Sequence, residues 1–137
     1  MIDIETELRD EIVTIRHPET ITTKQQLPYF LGVSQESAGT QHLSMNMVVI
    51  PAGGKAQAHR HKGFETAIYM LEGRVQTYYG ENLEKSVIHQ KGDFIFIPPN
   101  VPHQPVNLSD TENALAIVCR NDPNEQESVE LLDMSAV

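Results

Sequence analysis

The spacing His59-x-His61, answered much later by a single His103, limits this chain more than any other feature of it. Alternate side chains of a β-strand share a face, so His59 and His61 point the same way if they lie on a strand. His103 can join them only if a strand distant in sequence comes against the first, as it does in a small barrel. The rest of the chain favours strands. Phe94-Ile95-Phe96-Ile97 is an apolar run ended by Pro98-Pro99. Turn signals recur at Pro51-Ala52-Gly53-Gly54, Glu72-Gly73, Gly80-Glu81-Asn82 and Gln90-Lys91-Gly92-Asp93. Short strands separated by such turns predict an all-β sandwich or barrel. Glu65 follows closely on His61 and adds a carboxylate to the imidazoles. Nitrogen and oxygen donors of this kind suit one divalent transition metal, Fe, Mn, Ni, Cu or Zn, and the sequence does not choose among them. A His-x-His pair by itself is also compatible with two surface histidines.

These residues resemble the cupin family. Its first motif, Gly-x5-His-x-His-x3-or-4-Glu-x6-Gly, is matched by Gly53, His59, His61 and Glu65. Its second, Gly-x5-Pro-x-Gly-x2-His-x3-Asn, is matched by Gly92, Pro98, His103 and Asn107, with Asn100 in place of the inner glycine. The resemblance runs from about Met45 to Cys119 and is closest to small, single-domain cupins. It implies a double-stranded β-helix (jelly-roll) barrel with a metal near its centre, held by His59, His61, Glu65 and His103. It does not imply one reaction, because such folds host many chemistries. Two departures stand out. Seven residues, not six, separate Glu65 from Gly73, so the glutamate has slipped back by one. A slip of one along a strand reverses the face, and Glu65 then reaches the metal only from a turn or a bulge. Asn100 for glycine is milder, because asparagine is the commonest non-glycine residue at positive φ.

Strand parity extends the reading. With His59 and His61 inward, Gln57 is inward and Ala58 and Arg60 outward. From His103, Pro105 and Asn107 are inward. After Glu65 either Ala67-Tyr69-Leu71 or Thr66-Ile68-Met70 faces in; the first set is preferred, because a tyrosine offers a hydroxyl to a ligand. Tyr69 and Gln57 are thereby the candidate catalytic residues, orienting a substrate by hydrogen bonds, with Tyr79 a further polar tip. Leu43, Met45, Met47 and Val49 are read as core, and Met47, Leu71 and Phe96 as side chains that exclude water. The first functional reading is a metal-dependent oxygenase acting on a small organic molecule. The alternatives are a non-catalytic binding or sensing module and a sugar or sugar-phosphate isomerase or epimerase. The last would want an inward cation. Arg60 and Lys62 have the wrong parity or lie in a turn, leaving Lys55 or Arg74.

At 137 residues the chain has the size of one domain, with a barrel core at about 42–120, an N-terminal arm 1–41 and a tail 121–137. Strands are expected at Glu11–Arg16 and His42–Ile50, a helical turn or loop at Thr20–Gln26, and a lid or packing segment at Leu27–Leu31. Residues 1–10 are expected to fray or to be lent to a partner subunit. Nineteen acidic residues against ten basic ones give a formal charge of −9 and no basic run. That speaks against nucleic acid and anionic membrane surfaces as partners. Cys119 is the only cysteine, and no signal-peptide pattern or bilayer-length apolar run occurs, so a cytoplasmic location is expected. A homodimer is expected from the family, through sheet-edge addition by residues 11–16 or 129–134.

Overall fold

The structure is a computed structural model that describes residues 10–124 and 128–133. Among these residues the strands are β1 (Thr20–Thr22), β2 (Pro28–Val33), β3 (Ser44–Ile50), β4 (His59–His61), β5 (Thr66–Glu72), β6 (Arg74–Tyr79), β7 (Lys85–Gln90), β8 (Phe94–Ile97), β9 (His103–Asn107), β10 (Ala114–Arg120) and β11 (Val129–Leu131). One short helix, α1 (Gln35–Ala38), is capped by Ser34 and ended by Gly39 in the left-handed region. A six-stranded sheet has the order β1-β2-β3-β10-β5-β8 and a five-stranded sheet the order β11-β4-β9-β6-β7. The pairings within both are antiparallel. From β3 to β10 the chain passes back and forth between the sheets, and this winding is the double-stranded β-helix the motifs imply. No helix among the described residues is long and apolar enough to cross a membrane.

The N-terminal region differs from expectation. Residues 11–16 form no strand, and residues 1–9, expected to fray, lie outside the described residues. Thr20–Thr22 is a strand, not a helical turn, and it pairs with β2. The segment read as a lid is β2, which extends the larger sheet beside β3 and buries Leu27 and Tyr29. At the other end, β11 pairs with β4, setting Val129 opposite His61 and Leu131 opposite His59. Glu130 bridges Arg60 and Lys62 on the outer side of β4, so both cations do face away from the interior.

The inner faces are set by β10, where Ala114, Ala116, Val118 and Arg120 alternate inward. Its register places Arg120 opposite Thr66 on β5 and opposite Ser44 on β3. Thr66, Ile68 and Met70 therefore face in, with Ser44, Asn46, Val48 and Ile50 from β3. This reverses two readings. Met45 is exposed, and Tyr69 lies on the outer surface against Phe94, ring centroids 4.7 Å apart. Phe96 is exposed and Met47 and Leu71 are on the outer parity, so none of the three seals the interior. The cause is that the outer faces of β3, β5 and β8 are apolar, while the inner face of β3 carries the polar Ser44 and Asn46. A period of two then fixes which residues share a face but not which face is inside.

Asn107 shows why the second motif ends in an amide. Its Nδ2 donates to the carbonyls of Ile50, Pro51 and Glu112, and its Oδ1 accepts from the Ser109 N–H. One buried side chain thus closes the loops at that barrel end. Gly73 is required sterically: its φ is 94°, and a Cβ there would stand 2.8 Å from Ala114 Cα. Asp93 accepts from the Gln90 N–H across the β7–β8 turn, as its position predicts.

Asn100 has φ 68°, the left-handed conformation expected where the family has glycine. It also does what glycine cannot: its Oδ1 accepts from the Gly63 N–H at 3.0 Å, while its own N–H donates to the His61 carbonyl at 2.9 Å. The turn before His103 is thereby tied to the end of the strand that carries His61. Asn100→Gly should keep the turn but lose one hydrogen bond, about 1 kcal/mol by urea unfolding. Asn100→Val should lose the bond and add about 1–2 kcal/mol of backbone strain. Equal stability of the two variants would contradict this account.

Candidate metal centre

His59 and His61 stand on β4 and His103 on β9, with His59 and His103 directly opposed in the ladder. All three are buried. Their ring centroids lie 4.3 Å (His59–His103), 5.2 Å (His59–His61) and 5.8 Å (His61–His103) apart. One ring nitrogen from each falls within 4.8 Å of the others. The tautomers follow from local hydrogen bonds. His59 Nδ1–H donates to the Gln57 carbonyl at 2.7 Å, and His103 Nδ1–H to the Val101 carbonyl at 2.9 Å. A proton on Nδ1 leaves the Nε2 lone pair as the donor. His61 Nδ1 is buried and makes no hydrogen bond within the protein. Unpaired buried nitrogens are costly, and metal coordination is a common way of using them.

Electrostatics keep these rings neutral. Burial lowers the pKa of all three. His103 falls from its ordinary 6.5 to about 4, with the Arg120 guanidinium adding to the depression. His59 is held further down by His103 and Arg120, and His61 by Arg120 and both other imidazoles. Neutral imidazoles are the form that binds a metal, so the donor set fits a divalent transition ion.

Of the residues expected at this site, three come together and three do not. Glu65 is exposed, outside the histidine cluster. Its backbone N–H is held by Asn121 Oδ1 at 2.8 Å. The one-residue slip has acted as strand geometry requires: Thr66, not Glu65, takes the inward place. Tyr69 is on the outer face for the same reason. Gln57 is also exposed, because regular strand structure begins only at His59; Ala56 and Ala58, before it, are both fully buried. Parity cannot be carried back across that irregular segment. Lys55 and Arg74 are exposed and do not line the interior.

The histidines open onto a cavity of about 70 Å³, walled by side chains such as Val48, Ile68, Met70, Ile95, Ala116 and Val118. Further polar residues share it: Thr66, from the inward set that was not preferred, and Gln25, Thr77 and Arg120, which the sequence did not single out. Arg120 is 4% exposed, and its Nε donates to Thr66 Oγ1 at 2.9 Å. The signal for Arg120 was the alternation Ala114-x-Ala116-x-Val118-x-Arg120, whose small inward residues leave the space the guanidinium enters. Gln25, in the turn before β2, had no comparable signal. His89 lies at the wall, its Nδ1 3.3 Å from Thr77 Oγ1.

Residues 46–119 match the cupin domain family, and the chain belongs to it. It is 33% identical over 91 residues to an uncharacterised protein of Methanocaldococcus jannaschii, covering 66% of this chain and 69% of that one. Among solved structures it resembles the polyketide cyclase RemF of Streptomyces resistomycificus, with TM-score 0.71 and 18% identity over 92% of this chain and 89% of that one. It also resembles an oxalate decarboxylase of Lactobacillus farciminis in complex with formate, with TM-score 0.70 and 19% identity over 84% of this chain. The alignment spans only 33% of that longer protein. At such identities the likeness is one of fold.

The depressed histidines make a pH prediction for metal-free protein. In the folded state they bind protons less readily than in the unfolded one, so no titration penalty operates above about pH 6.5. Stability should fall as the pH drops below that value, and keep falling toward the His103 value of about 4. Urea midpoints of chelator-treated protein between pH 7.5 and 4.5 measure this, and a flat profile would contradict it.

Proposed function

We propose that His59, His61 and His103 hold one divalent transition metal and that the chain is a metal-dependent enzyme acting on a small organic molecule in the barrel cavity. The first reading of the reaction is oxygenation. The observation that carries the proposal is the convergence of three buried, neutral imidazoles, two of them fixed by Nδ1–H bonds, on one cavity. When bound, the metal supplies a Lewis acid with positions for substrate or oxygen. The residues of the chain supply the rest. Apolar side chains exclude water and strengthen polar contacts inside, and the pairing of His59 with His103, flanked by β11 on β4 and β6 on β9, positions the imidazoles.

Among the described residues no carboxylate joins the histidine cluster, which supports a ligand set of three histidines without Glu65. Metal analysis of anaerobically purified protein loaded with Fe(II), Mn(II), Ni(II), Cu(II) or Zn(II) should give one ion per chain. The His61→Ala, His103→Ala double variant should lose it, whereas Glu65→Gln should keep it. Full occupancy in the double variant would defeat the proposal. For the oxygenase reading, oxygen uptake should accompany the loss of a bound compound. Recovery of the ligand unchanged with every metal would favour the binding-module alternative.

The structure adds one support for the isomerase alternative, because Arg120 supplies the inward cation that Lys55 and Arg74 do not. The mainly apolar wall favours a less polar molecule than a sugar phosphate.

The chain is further read as a homodimer. Residues 11–16 form no strand, which removes one edge-addition route, whereas β11 stands at the edge of the five-stranded sheet and keeps the other. The outer face of the larger sheet is a better surface: Phe94 is 85% exposed, Phe96 59% and Met45 45%. A contiguous apolar face of this kind commonly marks an interface. Sedimentation should show a dimer at micromolar concentration and a monomer for the Phe94→Asp, Phe96→Asp variant; a wild-type monomer would refute this.

A further inference from the structure

Several polar side chains at the wall of the cavity are paired within the protein. Thr66 Oγ1 accepts from Arg120 Nε at 2.9 Å, and Thr77 Oγ1 lies 3.3 Å from His89 Nδ1. The Nδ1–H groups of His59 and His103 donate to backbone carbonyls. Gln25 is different. It lines the same cavity and is 2% exposed, and its Oε1 makes no hydrogen bond within the protein. An amide oxygen taken out of water without a partner costs free energy, and the great majority of such buried groups are paired. His61 Nδ1 is also without a partner, but the proposed metal gives that nitrogen a use. Nothing in the proposed ligand set uses the Gln25 oxygen.

The backbone holds Gln25 in position. Its carbonyl accepts from the Gln57 N–H at 2.8 Å, two residues before His59. Around it the Thr23 N–H donates to the Leu27 carbonyl and the Gln26 N–H to the Thr23 carbonyl, both at 2.9 Å. The Thr23 hydroxyl donates to the Leu27 carbonyl as well, at 3.1 Å. The segment cannot swing outward to bring the side chain to water without breaking these bonds. The fold thus keeps an acceptor where a molecule inside the cavity can donate to it. A polar group of this kind in an otherwise apolar pocket fixes orientation and specificity. The wall around it is chiefly aliphatic, with Val48, Ile68, Met70, Ile95 and Val118, and the cavity is about 70 Å³. Such a wall suits the apolar body of a small molecule.

We propose that Gln25 is a specificity-determining residue of the cavity, its Oε1 accepting from the N–H or O–H of a small, mainly apolar ligand. The inference deepens the reading of this cavity as the ligand site, but the Gln25 contact does not need a bound metal.

Pyrrole and furan test it, because the two rings are nearly isosteric and only pyrrole carries an N–H. Binding to the isotope-labelled full chain is followed by NMR titration, on zinc-loaded and on chelator-treated protein. Pyrrole should bind about two- to ten-fold more tightly than furan, the range of one neutral hydrogen bond. Pyrrole, and not furan, should move the resonance of the Gln25 side-chain carbonyl carbon. Gln25→Leu should remove the preference and leave the zinc content at the wild-type level, and Gln25→Met, closer in length to glutamine, should do the same. Circular dichroism identifies the variants that keep the fold, and the wild-type ratio and carbonyl shift need no variant. The proposal is overturned if neither ring binds, or if both bind alike, in which case the oxygen holds only a water. It is also overturned if the carbonyl carbon responds equally to both rings, or if folded Gln25→Leu or Gln25→Met keeps the preference. Loss of zinc from either folded variant would assign the oxygen to the metal and overturn it too. Should zinc fail to bind wild type while the preference for pyrrole persists and depends on Gln25, the metal reading fails and the role of Gln25 stands.

Discussion

The opposition of His59 and His103 across the β4–β9 ladder is the contact on which the candidate site depends. Strands from distant parts of the sequence must pair in this register before a third imidazole can join the first two. The pairing is held on both sides: β11 lies against β4, and β6 lies against β9 with Tyr79 opposite His103. Asn100 adds a tie through the Gly63 N–H and the His61 carbonyl. The site therefore rests on backbone ladders, where a side chain's direction is set by the pleat and not by a flexible loop.

Around that contact the barrel distributes its bulk unevenly. The inward residues of β10 include Ala114 and Ala116, and Ala56 is buried nearby. The large aromatic side chains Phe94, Phe96 and Tyr69 lie outside. A core of this size would ordinarily close on its largest side chains and leave few voids. Here small inward residues leave room beside the histidines, and apolar bulk is turned outward. The interior cavity and the apolar exterior thus have a common origin in the parity of β5, β8 and β10.

The electrostatics follow from the same parity. Thr66 occupies the inward place at the start of β5 and accepts from Arg120, while Glu65 faces out. Burial and the guanidinium together keep the imidazoles unprotonated, which suits them as ligands. The one-residue displacement of a glutamate thus bears on the proposed ligand set.

The sequence by itself determined the all-β class, the family, the turn positions and the histidine set. Each of these depends on local chemistry: glycine or asparagine at positive φ, as at Gly73 and Asn100, and two imidazoles one residue apart on a strand. It also contained the reason Glu65 would fail to join them, since a shift of one residue reverses a side chain. It did not determine which face of β3, β5 or β8 was inside, because the outer faces of these strands are apolar, the inner face of β3 carries Ser44 and Asn46, and periodicity of two is blind to that choice. Met45, Met47 and Tyr69 were misread on that account, and Gln57 because an irregular segment interrupts the parity before His59. Only the tertiary structure decided these, through the register of β10 against β3 and β5. That register turns Arg120 inward, beside groups far from it in sequence, and no local pattern encodes the distance between them.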